Sequence, residues 1–186
     1  MAGDVRQRMV EGTVRLLARG GYHGTSFADV IGQTGAPRGS IYHHFPGGKD
    51  ELVVAALELA DAQALTALTN GDATTALGVV DQFIGMWRRL LVGTQFEAGC
   101  SVLGVTVSAD TEVVLDRAAE VFRDWRGTLA ARLEETGFEA SEAGGFATLL
   151  IAATEGAVVM CRAARSVEPL ETVADELRAR ARGERC

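Results

Sequence analysis

The side chains best placed for chemistry crowd into residues 26–52, SFADVIGQTGAPRGSIYHHFPGGKDEL. Arg38, Gly39, Ser40, Tyr42, His43 and His44 fall in one short run, and Lys49 follows. An arginine can meet two acceptors on a guanine edge or grip a phosphate. Serine, tyrosine and histidine donate to phosphate oxygens, contacts that place a protein on DNA. Gly39 lets the backbone come close. Lys49 stands near the start of a helix, where free N–H groups already favour an anion. The same residues make poor catalysts. Adjacent His43 and His44 diverge on a helix and form no metal pair. Ser40 has no strand–turn–helix elbow around it. Glu134 and Glu135 read as a solvated helix end. Cys100 is a candidate reactive thiol, although most buried cysteines are inert. No enzyme activity, metal or cofactor is expected.

Two short helices must hold this run. Ser26 caps the first, with Asp29 at the spacing of a capping box. Phe27, Val30 and Ile31 face inward. Gly35 takes the turn at positive φ. Pro37 suits the first position of the second helix. Ile41 and Phe45 lie four apart and point to the core. Arg38, Gly39, Tyr42 and His43 then share the outer face, with Ser40 and His44 at its edges. The arrangement is a helix-turn-helix.

These residues carry a family resemblance. Gly21-Tyr22, Thr25-Ser26, Gly35, the run from Arg38 to Phe45, and Lys49 with Leu52 resemble the DNA-binding domain of TetR-family repressors. The turn from Phe45 to Lys49 and the later Gly99-Cys100 are similar to the LmrA/YxaF-like branch. Pro37 departs from the family, which often has a small polar residue there. The resemblance implies an all-α fold of nine helices. It implies a helix-turn-helix domain over residues 1–48 and a ligand-binding and dimerisation domain over 49–186. It carries Thr25 and Ser26 into the DNA-contacting set beside Arg38, Gly39, Ser40, Tyr42, His43, His44 and Lys49.

The remaining chain fits. Hydrophobic content of 47% argues for a packed globular protein. No transmembrane helix and no signal peptide are expected. Cys100, Cys161 and Cys186 are too widely spaced for a disulfide framework, and a reducing cytoplasm suits them. Net charge is −7, yet residues 1–50 carry six basic against four acidic groups and all three histidines. Local charge governs contact with phosphates, so the acidic total does not exclude DNA.

Between Pro46 and Pro169 no proline interrupts the chain. The periodicity predicts helices near 4–19, 49–69, 74–92, 112–135 and 141–165, with another from about Pro169. The run SVLGVTVSA after Cys100 is read as a short buried helix. Phe83, Met86, Trp87, Phe96, Cys100, Phe122, Trp125, Phe146 and Met160 gather in the second part. They are candidates to line a cavity for a flat apolar ligand, and ordinary core packing is the competing reading. For this branch the resemblance implies drug-like or flavonoid-like effectors. Ala152, Ala153, Gly156 and Ala157 let two helices approach closely. Packing inside one subunit is one reading of them; the resemblance implies the other, a dimer interface that they form with Val173 and Leu177. A dimer reads a palindromic operator with two heads.

Two other classes compete. A helical adaptor that has lost DNA affinity is opposed by intact Arg38, Tyr42 and Lys49. An enzyme on a helical scaffold would need a polar constellation that the sequence lacks.

Overall fold

The computed structural model describes residues 2–183, so Cys186 lies outside the described residues. Nine helices and no strand occur among them. They are α1 Ala2–Gly20, α2 Phe27–Thr34, α3 Arg38–His44, α4 Lys49–Thr69, α5 Ala76–Gly93, α6 Ser101–Thr106, α7 Glu112–Glu135, α8 Ala140–Ala164 and α9 Glu168–Ala181. The chain forms two compact units, Met1–Gln63 with Cys100–Phe122, and Ala64–Gly99 with Arg123–Cys186. The units cut across chain order, because α6 and the first half of α7 pack with the N-terminal helices. The functional division at 48/49 expected from sequence is therefore not the packing division.

In the first unit, α1 packs against α2 and α6. Met9, Val10, Thr13 and Leu17 are buried, while Val14 and Leu16 are half-buried. The contact with α6 depends on two glycines. A Cβ on Gly21 would stand 2.7 Å from the Gly104 carbonyl, and one on Gly104 would stand 2.9 Å from the Leu17 carbonyl. Gly21 also has φ +65°, which side chains resist. SVLGVTVSA supplies α6, where Val102 and Val105 are fully buried. Val-rich sequence is helical here because tertiary burial overrides propensity.

In the second unit, α5 buries Val80, Phe83, Ile84, Trp87 and Leu91, and α8 and α9 pack on it. Two arginine pairs fix α9 to α5. Arg88 donates twice to Glu171, at 2.6 Å each, and Arg178 Nε donates to Asp81 at 2.7 Å. Bidentate geometry of this kind fixes orientation as well as distance.

Helices α4 and α8 are long and apolar enough to cross a membrane, with mean hydropathy 1.5 and 1.6. They pass by length and composition alone, which does not make either a membrane span. A helix buried on most sides in a helical core reads the same way. Half of the α8 window is buried inside the fold.

Candidate functional site

The local chemistry of residues 26–45 sets the geometry. Ser26 is the N-cap of α2, and its hydroxyl accepts from Asp29 N while Asp29 returns a bond to the Ser26 N–H. The Ser26 hydroxyl first, and the Ser26 N–H second, donate to the Asp29 carboxylate and hold it below the usual carboxylate range. Gly35 ends α2 at φ +64°, and its N–H bonds the Ile31 carbonyl. Pro37 occupies the N-cap of α3, one residue before the expected position. Ile41 and Phe45 are fully buried. Four apart on a helix, they fix its rotation, and the opposite residues must then face out.

Arg38, Gly39, Tyr42 and His43 are exposed, with Ser40 and His44 half-buried beside them. Tyr42 is 69% exposed, an unusual cost for an aromatic on a free surface. Its ring stands edge-on to Phe27, with centroids 5.4 Å apart, which holds the phenol outward. Arg38 makes no ion pair among the described residues and projects from the first turn of α3.

Other expected contacts are engaged internally. Thr25 is 2% exposed, and its hydroxyl donates to the Gly21 carbonyl at 2.9 Å. It stabilises the turn before α2 and offers DNA no hydroxyl. Ser26 Oγ donates to Asp29 Oδ2 at 2.6 Å, and Ser40 Oγ to the Pro37 carbonyl at 2.7 Å. These two remain at the surface but would have to exchange a bond to donate to a phosphate.

Lys49 stands at the first position of α4, and its Nζ lies 3.8 Å from the centre of the Tyr22 ring. Burial lowers its pKa, against the nearby Asp50 and Asp110 carboxylates, which raise it. Tyr22 Oη donates to Asp50 Oδ1 at 2.5 Å, and Tyr22 N donates to Ser108 Oγ at 2.8 Å. Burial first, and Asp50 second, push the phenol up to about 12. Tyr22 thus joins the α1–α2 turn, the start of α4 and the end of α6. Sequence reasoning missed this role, since the partners are 28 and 86 residues apart and no local pattern links them. It also missed Arg6, whose guanidinium lies 5.2 Å over the Phe45 ring.

The interior set divides. Phe83, Trp87, Trp125 and Phe146 are buried in the second unit. Trp87 lies at its centre, with centroids 6.2 Å from Phe83 and 6.4 Å from Trp125. Phe146 stacks instead on Phe138 at 5.3 Å. Met86 and Phe96 are half-buried. Cys100 and Phe122 belong to the first unit. Met160 is 59% exposed. That corrects its place among interior residues, because the α8 period sets it with Ala152, Gly156 and Val159 on the outer face.

That outer face of α8 also holds Gly145, Thr148 and Leu149, and no charged residue interrupts it from Gly144 to Met160 except Glu155, which is buried. Leu149, Ala153, Val173 and Leu177 line a surface groove between α8 and α9. Ala157 and Leu177 are 1% and 3% exposed, so they serve mainly to pack α8 and α9 within the chain.

Residues 10–68 match the family described as bacterial regulatory proteins, tetR family. Residues 76–176 match transcriptional regulator LmrA/YxaF-like, C-terminal domain. An HTH-type transcriptional regulator of Mycobacterium tuberculosis is 36% identical over 180 residues, covering 93% of this chain and 92% of the relative. The HTH-type transcriptional regulator LmrA of Bacillus subtilis is 28% identical over 173 residues, covering 90% and 92%. In fold, a TetR-family regulator from Agrobacterium tumefaciens superposes with TM-score 0.83 at 22% identity, covering 97% of this chain and 98% of that one.

Proposed function

Because this chain belongs to the TetR family of bacterial transcriptional regulators, with a C-terminal domain of the LmrA/YxaF-like kind, we propose that it is a homodimeric repressor that binds a palindromic operator and releases it on taking up a small hydrophobic, aromatic effector. The observation that carries the reading is α3. Its inner side is fixed by fully buried Ile41 and Phe45, and its outer side presents Arg38, Gly39, Tyr42 and His43 to solvent. A helix held so firmly with a polar, donor-rich outer face suits the major groove.

Dimerisation is supported by the uncharged outer face of α8. Small and apolar residues exposed over four turns are costly in water and favourable against a second helix. Two heads related by a twofold axis, about 34–36 Å apart, read two half-sites. Effector uptake is supported by the buried aromatics around Trp87. An effector releases DNA only if it prefers a conformation that fits the operator less well. Helix α4 runs unbroken from Lys49 to Thr69 and contributes residues to both compact units, which makes it the natural transmitter. The cytoplasm is where such a regulator meets its DNA.

Sequencing the genomic fragments retained by the purified protein tests the reading. Enrichment of one inverted repeat is expected. Retention without any shared sequence would overturn it.

A further inference from the structure

Threonines inside helices commonly return the hydroxyl to the carbonyl four residues back. Thr13, Thr34, Thr106, Thr148 and Thr172 do so, at 2.7–3.1 Å. Thr154, in the middle of α8, does not. Its side chain is fully buried and its Oγ1 has no hydrogen-bond partner. Trp87, on α5, is 4% exposed, and its Nε1–H is also without a partner. A buried indole N–H usually finds an acceptor. Helices α5 and α8 pack on each other in one compact unit. Both orphaned polar groups therefore sit in the interior of that unit, and Trp87 stands beside the rings of Phe83 and Trp125.

Orphaned buried groups weaken a fold, and each one in a native protein calls for an explanation. Ordinary packing explains the aromatic rings but not these two atoms. We propose that Trp87 Nε1 and Thr154 Oγ1 are the polar anchors of the effector site, and that its ligand sets an acceptor atom against the indole N–H within an apolar, ring-bearing body. The proposal rests on the effector reading above and narrows it. The indole N–H is a donor only, whereas the threonine hydroxyl donates or accepts. A hydrocarbon leaves both groups unpaired, and an ammonium group meets a donor with another donor. The protein groups are already out of water, so an acceptor gains the bond without stripping them. Sites built in this way discriminate strongly against analogues that lack the matching atom.

1-Tetralone and tetralin share a skeleton and differ by one carbonyl, so calorimetric titration of the full chain with each measures the preference for an acceptor. Wild type should bind 1-tetralone at least 10-fold more tightly. Trp87→Phe keeps a ring and removes the N–H, and its preference should fall to within twofold. Thr154→Val keeps the shape and removes the hydroxyl, and it should lower the preference at least threefold. The variants are independent, so if one fails to fold the other decides. Wild-type preference retained in Trp87→Phe or in Thr154→Val overturns that residue as an anchor and leaves the effector reading standing. Binding of both ligands by wild type without preference overturns the proposal alone. Binding of neither overturns the effector reading with it.

Discussion

Arg38 and Tyr22 do opposite kinds of work in the reading head. Arg38 is exposed at the start of α3, and its type was legible in sequence, whereas helical spacing, which sets it three residues before Ile41 and seven before Phe45, does not by itself turn it outward. Arg38→Ala should weaken operator binding by about 1–3 kcal/mol through the loss of a base contact, and relax preference at one position per half-site. Fluorescence anisotropy with a panel of mutated half-sites checks both. Tyr22 was not legible, since its value lies in distant partners. Its phenol, raised to about 12 from an ordinary 10, favours the folded state while neutral. The sign follows from linkage. That stability is complete below pH 10 and is lost as pH rises towards 12. A shift of this size corresponds to a few kcal/mol at most. Tyr22→Phe should be less stable than wild type at pH 8 by about 1–3 kcal/mol, through the lost bond to Asp50. It should also lose less stability between pH 10 and 11.5, because Tyr42, the one other tyrosine, is largely exposed. Denaturant unfolding at each pH measures this, and parallel curves would remove Tyr22 from the account.

At the scale of elements, boundaries followed from local rules wherever a cap or break was present. The capping box at Ser26, the turn at Gly35 and the start of α4 at Lys49 all lie where sequence chemistry puts them. Val114, Ala118, Val121, Trp125 and Leu133, picked by period on α7, are all buried. The interior set was less legible, because a residue type does not say which side of a helix it occupies. Met160 looks apolar enough for a core and stands outside, while Thr154 looks polar enough for the surface and is fully buried. The outer face of α8 yields a sharp test. Gly156 is exposed, and a Cβ there meets nothing within 4 Å in the chain. Gly156→Arg should therefore leave the subunit folded while placing a long cation where two copies meet. Sedimentation velocity should show dimer for wild type and monomer for the variant. A dimeric variant would move the interface elsewhere.

Across the whole molecule, the proposed function needs charge placed locally and a switch of modest energy. The chain is acidic overall, and on the proposed reading the basic groups gathered in the first 50 residues supply the phosphate contacts. Effector coupling needs only about 1–3 kcal/mol. Trp125→Phe, a milder change than truncation at a site 3% exposed, should raise the effector concentration needed to release DNA several-fold. Release at an unchanged concentration would take Trp125 out of the effector site. The central claim is that the outer face of α3 reads DNA as a pair. Its most direct test is analytical ultracentrifugation of the protein with its retained inverted repeat, beside a repeat in which one half-site is scrambled, at several salt concentrations. The account predicts two chains per intact repeat, a loss of affinity on scrambling one half, and a linear fall of log affinity with log salt. One chain bound per repeat, with equal affinity for the scrambled DNA, would contradict it.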